Sequence, residues 1–188
     1  YLKDLYKISD PGCTSKVTVP VLWDKKTNTI VNNESSEIMR ILNSEFNDLN
    51  KKNKKYNYDF YPVKLRSKIN KINDFIYENI NNGVYKCGFA SSQESYDEAC
   101  DNLFAALDKI DDILSKNKYL LGEYITESDW RLFTTLIRFD CVYATHFKCN
   151  KKLLRDYVNL SRHLKQLYNI TRISETVDID YIKKHYFM

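Results

Sequence analysis

Leu120-Leu121-Gly122-Glu123-Tyr124-Ile125-Thr126-Glu127-Ser128-Asp129-Trp130 is the stretch on which the fold turns. Thr126 stands at an N-cap position, and Asp129, three places on, can return a carboxylate oxygen to the N–H of the cap. Ile125 and Trp130 flank them at the spacing of a hydrophobic staple. The stretch predicts a helix start written twice. Downstream of it, Trp130, Phe133, Leu136, Ile137 and Val142 recur at helical spacing. The same period marks Leu65, Ile69, Ile72, Ile76 and Ile80, then Tyr96, Ala99, Leu103, Leu107, Ile110 and Leu114, and finally Leu153, Tyr157, Leu160, Leu164 and Leu167. From Pro62 onward the pattern is helical, with no repeat period connecting the helices.

The front of the chain reads differently. Val17-Thr18-Val19-Pro20-Val21-Leu22-Trp23 is a short apolar run rich in β-branched residues, Asp24 to Asn28 is a polar turn, and Thr29-Ile30-Val31 answers it, which predicts a β-hairpin. Asn32-Asn33-Glu34-Ser35-Ser36 offers capping groups ahead of Ile38, Ile41, Leu42 and Leu49, the apolar face of an amphipathic helix. A two-stranded hairpin with one helix buries too little surface to be stable alone, so further sheet is expected to complete it. Between the two regions, Asn47 to Tyr61, with Lys51-Lys52-Asn53-Lys54-Lys55 at its centre, breaks the periodicity and reads as a solvated connector.

Composition narrows the classes. The 188 residues are 43% hydrophobic and 29% charged, with four Gly and three Pro, which excludes a disordered or low-complexity chain. The apolar runs fall far short of a membrane span. The formal net charge of +4 is no dense basic face, so neither nucleic acid nor membrane is an expected partner. Cys13, Cys87, Cys100, Cys141 and Cys149 are odd in number and form no C-x-x-C pair, so free thiols in a reducing cytoplasm are expected. His146 and Cys149 have H-x-x-C spacing without further ligands, and no metal site is read from them.

The string G-x-x-I-T-x-S-D from Gly122 to Asp129 resembles the capping box in the C-terminal helical domain of glutathione transferases. Val19-Pro20 resembles the cis-proline pair of their thioredoxin-like half, and Asn33-Glu34-Ser35-Ser36, at a helix start, resembles their γ-glutamyl site. Five longer strings, Thr18–Lys25, Ile30–Ile38, Asn81–Ala90, Phe139–Asn150 and His185–Phe187, together resemble glutathionyl-hydroquinone reductases, the omega-like Xi class of that family. The resemblance implies a glutathione-transferase fold: a partial α/β thioredoxin-like domain over 1–47, then an all-α helical-bundle domain over 48–188.

It also implies a chemistry. The residue before the cis-proline, Val19, offers its backbone to the cysteinyl part of glutathione, and Pro20 holds that turn. Glu34 and Ser35 meet the γ-glutamyl end at a helix N-terminus. Lys16 replaces the usual arginine near the glycyl carboxylate, keeping the charge without the bidentate fork. Tyr85 resembles the proton donor and acceptor serving the hydroquinone ring, while Tyr143 and Tyr186 resemble phenols that stabilise a cysteine thiolate. Arg138, in the R-F-D segment with Asp140, reads as structural pairing inside the bundle.

The nucleophilic cysteine itself belongs to a C-P-W motif that these 188 residues do not contain, and it is expected upstream of Tyr1 with the missing strand and helix. The implied reaction is thiol transfer that reduces glutathionyl-hydroquinones and releases oxidised glutathione. Glutathione is the co-substrate, no other cofactor or metal is required, aromatic hydroquinone conjugates are the partners, and the assembly is a homodimer. The rival reading is a non-catalytic member of the fold that binds glutathione or a hydrophobic ligand, or serves as a scaffold.

Overall fold

The structure, a computed structural model, describes residues 1–50 and 58–188, so the lysine run at 51–55 lies outside the described residues. The chain divides into two compact units, Tyr1–Tyr61 and Pro62–Met188.

The first unit opens with a helix that the periodicity did not announce, α1 (Leu2–Ser9), before the hairpin of β1 (Leu22–Asp24) and β2 (Thr29–Asn32). The strands are antiparallel, with Leu22 opposite Asn32 and Asp24 opposite Thr29. The run from Val17 to Val21 was expected in the first strand but lies outside it. With β2 only four residues long, that run faces no strand among the described residues, and the backbone of Thr18 bonds to the Tyr6 hydroxyl instead. Asp24 accepts the N–H of Lys26 at 2.7 Å, which tightens the turn. Helix α2 (Ser35–Ser44) follows, capped by Glu34 and with Ile38 as its buried residue. Leu49, expected on its apolar face, sits beyond the helix in a 3₁₀ turn (Asn47–Asn50) and is exposed.

The second unit is built around α5 (Gln93–Lys116), a helix of about 36 Å at 1.5 Å per residue. Leu103, Leu107, Ile110 and Leu114 follow one another at four, three and four residues and are fully buried. Each such side chain contributes roughly 1.5–3 kcal/mol of burial. Against α5 packs a continuous rod of α3 (Arg66–Ile76), a π-helical turn (Tyr77–Asn81) and α4 (Asn82–Gly88), which buries Ile76, Ile80, Val84 and Cys87. A second such rod comprises α6 (Glu127–Arg138), a π-helical turn (Phe139–Tyr143) and the short α7 (Ala144–His146). Asn81 pins the two rods together, its amide donating to Thr135 Oγ1 at 2.6 Å and to the Arg131 carbonyl at 3.2 Å.

The helix expected from Leu153 begins later, as α8 (Val158–Tyr168). Leu154 to Asp156 form a 3₁₀ turn held by the Asp140 carboxylate, which accepts the N–H groups of Leu154 (2.6 Å) and Arg155 (3.1 Å). Asp140 is therefore engaged by backbone, and the Arg138 guanidinium bonds to the Thr134 carbonyl rather than to Asp140. The Asp111 carboxylate caps α8 from α5, taking the N–H groups of Asn159 and Leu160 at 3.0 and 2.8 Å. Arg162 returns the favour at the other end, its guanidinium covering the carbonyls of Leu114, Asn117 and Lys118 at the C-terminus of α5. A last helix, α9 (Ile179–Phe187), is N-capped by Asp178, which accepts the N–H of Tyr181 at 2.8 Å. Among the described residues no helix is long and apolar enough to cross a membrane.

The capping box forms as its sequence predicts. The Asp129 carboxylate accepts the N–H and hydroxyl of Thr126 at 2.8 and 3.1 Å through one oxygen, and the N–H of Leu120 at 2.9 Å through the other. The turn entering it closes between Tyr119 and Gly122, where φ of +113° admits glycine and strains any other residue.

His163 of α8 reaches this box, with Nε2 3.5 Å from Asp129 Oδ1, and both side chains are fully buried. Burial, seconded by the Arg162 charge, lowers the His163 pKa from 6.5 to about 4, so the folded state holds it neutral. The unfolded chain takes up this proton near pH 6.5 and the folded chain only near 4. Stability is thus intact above pH 6.5 and falls as pH drops toward 4, by about 3 kcal/mol at most. Burial also pushes Asp129 upward, so proton uptake there returns part of that loss. Unfolding midpoints of the second unit between pH 7 and 4 should decline more steeply in wild type than in His163→Gln, and equal slopes would remove His163 as the cause.

Candidate functional site

The expected site residues fall in two sets, one in each unit. In the first, the Val19–Pro20 bond is cis and Val19 stands exposed, its backbone outside the hairpin ladder. Glu34 is the N-cap of α2, and its carboxylate turns back to accept the N–H and hydroxyl of Ser36, both at 3.1 Å, and the Ser35 hydroxyl at 3.3 Å. The Asn32 side chain accepts the Glu34 N–H at 2.7 Å, which sets the angle at which the chain enters the helix. A helix N-terminus with an acidic cap and two hydroxyls suits a zwitterionic amino-acid terminus, because the carboxylate attracts an ammonium and the N–H groups attract an anion. Lys16 is exposed ahead of this segment. Sequence reasoning missed Tyr6 and Thr18 here, whose side chains bond to each other and to Asn33, the first residue of the string that resembles the γ-glutamyl site.

In the second unit the structure brings Tyr85, Tyr143 and Tyr186 together from α4, the second π-helical turn and α9. The Tyr186 hydroxyl lies 3.0 Å from that of Tyr85 and 3.1 Å from that of Tyr143. Around them stand Phe147, stacked on Tyr143 at 5.4 Å, and the exposed ring of Phe89, 5.4 Å from Phe147. His146 lies edge-on to Tyr186 at 6.1 Å. These aromatic neighbours were not singled out beforehand, since aromatic residues at such spacing read equally well as core. Gly88 fits the same wall, because a Cβ there would meet the Phe147 ring at 2.3 Å.

The Tyr186 hydroxyl meets both of the others, and the cluster opens toward solvent on the Tyr85 side, where the residue is 38% exposed against 3% for Tyr143. Burial, with the bond to Tyr186, raises the pKa of Tyr85, and burial raises that of Tyr143 further. Both stay protonated at neutral pH, as proton donors must.

All five cysteines are free thiols. Cys87, Cys100 and Cys149 are buried in the core, and Cys141 is half-buried with its thiol against the Ile137 carbonyl. The bond to Cys87 and burial push the Cys149 thiol well above its ordinary range, and burial raises Cys100 and Cys141. Thiols so shifted are poor nucleophiles at neutral pH. Cys13 lies near the cradle in sequence, its sulfur 3.1 Å from the Ser15 hydroxyl. Among the described residues no group of three or more His, Cys, Asp or Glu is placed to hold a metal ion.

Residues 93–166 match the family model described as the C-terminal domain of glutathione S-transferase. Over its whole length the chain is 50% identical to the glutathionyl-hydroquinone reductase YqjG of Escherichia coli K12, covering 56% of that protein. It superimposes on the glutathione-bound structure of YqjG with a TM-score of 0.95, covering all of this chain and 60% of that one. The glutathionyl-hydroquinone reductase PcpF of Sphingobium chlorophenolicum is 46% identical, again over all of this chain and 58% of the relative. The glutathione-S-transferase Xi of Phanerochaete chrysosporium is 49% identical with a TM-score of 0.93, over all of this chain and 63% of that one. The chain thus spans little more than half the length of the curated relatives it matches. It has the glutathione transferase fold, a small β/α part followed by a helical domain, and is homologous throughout to glutathionyl-hydroquinone reductases.

Proposed function

We propose that a protein homologous along these 188 residues to glutathionyl-hydroquinone reductases carries out the reduction those relatives are named for, by thiol transfer. The single observation that carries this reading is the cluster of three phenols whose hydroxyls meet, with Tyr85 at its exposed edge. A cysteine thiolate attacks the sulfur of a glutathionyl-hydroquinone, and the new S–S bond forms as the ring carbon–sulfur bond breaks. The electron pair goes to the ring carbon, which takes its proton from Tyr85. A second glutathione thiolate then attacks the mixed disulfide, regenerating the cysteine thiolate and releasing oxidised glutathione.

The cradle of Val19, Pro20, Glu34, Ser35 and Lys16 holds glutathione, and hydrogen bonding from Tyr143 and Tyr186 stabilises the thiolate. We place the nucleophile outside these residues, on the N-terminal side of Tyr1, because none of the five cysteines stands in a C-P-W motif. Burial raises Cys100 and Cys141, the bond to Cys87 and burial raise Cys149, and Cys87, lowered by its bond to Cys149, is enclosed in the core. The domain assignment of 1–47 and 48–188, the homodimer and a cytoplasmic setting belong to the same proposal.

The full-length protein should reduce a glutathionyl-hydroquinone at the expense of glutathione. Mass spectrometry of the trapped intermediate should find the glutathione adduct on a cysteine other than these five. Replacing all five should leave turnover largely intact, and a stoichiometric adduct on Cys13 or Cys149 overturns the placement. The cradle has its own test. Glu34→Ala should weaken glutathione binding by about 10- to 100-fold in calorimetry, the scale of a charge-assisted contact. Glu34→Gln keeps an oxygen for the Ser36 N–H, which separates loss of the cap from loss of the charge. Unchanged affinity in a folded Glu34→Ala variant removes Glu34 from the site.

A further inference from the structure

The hairpin ladder ends at Leu22 and Asn32, before it reaches either half of the cradle. Beyond those residues, among the described residues, no backbone hydrogen bond joins the segment before Pro20 to the start of α2. The two segments must nevertheless keep a fixed spacing if one tripeptide is to lie across both. What spans the gap is a set of side chains centred on one from a third element. Tyr6 of α1 is 6% exposed, and its hydroxyl donates to the Thr18 carbonyl at 2.8 Å. The same oxygen accepts the Thr18 N–H at 3.3 Å and the Asn33 side-chain amide at 3.1 Å. The Asn33 amide also reaches Thr18 Oγ1 at 3.3 Å, closing the set. Thr18 immediately precedes Val19, and Asn33 immediately precedes Glu34.

We propose that Tyr6 is a positioning residue for glutathione: its hydroxyl ties Thr18 to Asn33 and so sets the distance between the backbone of Val19 and the N-terminus of α2. The inference rests on the cradle reading above. A phenol is suited to the task because one oxygen can donate once and accept twice, and its rigid ring places that oxygen with little rotamer freedom to lose. The ring itself is fixed from below, since α1 is anchored to the hairpin by Ser9, whose hydroxyl accepts the Ile30 N–H at 2.9 Å. Tyr6 need not touch glutathione, and its effect passes through the two segments it joins.

Tyr6→Phe in the full-length protein removes the hydroxyl and keeps the ring. The dissociation constant for glutathione by calorimetry, and KM for glutathione in turnover, should rise about tenfold, the usual scale for a few lost hydrogen bonds. At saturating glutathione, kcat and the KM for the hydroquinone conjugate should stay within about twofold of wild type. Asn33→Ala cuts the same link from the other side. The double variant Tyr6→Phe/Asn33→Ala should therefore be little weaker than either single one, whereas general destabilisation would make the two losses multiply.

Unchanged glutathione affinity in Tyr6→Phe overturns the inference while leaving the cradle standing. A parallel fall in kcat and in apparent affinity for both substrates, tracking the folded fraction in thermal melts, also overturns it, because Tyr6 would then serve only stability. Wild-type protein that binds no glutathione overturns the cradle reading and the inference with it.

Discussion

Asp129→Ala is expected to cost about 3–5 kcal/mol of stability in the helical unit, enough to lower its melting temperature by roughly 10 °C. The carboxylate is fully buried and serves three donors, the N–H groups of Leu120 and Thr126 and the Thr126 hydroxyl. Alanine leaves all three donors enclosed without their acceptor. A lost N-cap contact alone costs about 1 kcal/mol, so most of the expected effect comes from stranding buried donors. Asp129→Asn retains one acceptor oxygen and should cost less than half as much. Chemical denaturation of both variants decides the matter, and a loss under about 1 kcal/mol for alanine would show that the turn re-forms its bonds elsewhere.

Tyr85→Phe should lower turnover of a glutathionyl-hydroquinone on the order of a hundredfold, with glutathione affinity and fold preserved. Phenylalanine keeps the ring contacts with Phe147 and Phe89 and deletes the hydroxyl that meets Tyr186. Tyr143→Phe and Tyr186→Phe should act otherwise, moving the pH profile of cysteine alkylation toward alkaline values as the thiolate loses donors. Steady-state kinetics alongside a pH series of iodoacetamide labelling separates the roles. Wild-type turnover in Tyr85→Phe would reduce that tyrosine to packing and favour a ligand-binding protein without turnover.

How far the sequence discloses this molecule depends on how local each interaction is. Thr126 and Asp129 lie three residues apart, so the box they form was legible from spacing alone. Leu103, Leu107, Ile110 and Leu114 declare their helix because all four are buried on one face. Helix α9 escaped notice for the converse reason, since it has no fully buried residue and only Ile182 and Tyr186 pack against the core. The late start of α8 was equally hidden. Asp140 holds Leu154 from 14 residues away, and Asp111 caps Asn159 from 48 away, which no window of periodicity can register. The tyrosines occupy a middle position. Among 15 tyrosines the strings around Tyr85, Tyr143 and Tyr186 marked these three, but that their hydroxyls meet is visible only in the coordinates.

The two π-helical turns give chain length a meaning of its own. A π turn amounts to one residue inserted into an otherwise α-helical rod, and each residue advances such a rod by about 100°. Tyr143 closes one of these turns and Tyr85 follows four residues after the other. Loss of a single codon from Tyr77–Asn81 or Phe139–Tyr143 would leave a regular helix of ordinary composition, yet would swing every residue beyond it through more than a quarter of a circle. In descent, then, these segments should tolerate exchange of letters far better than a change in their number.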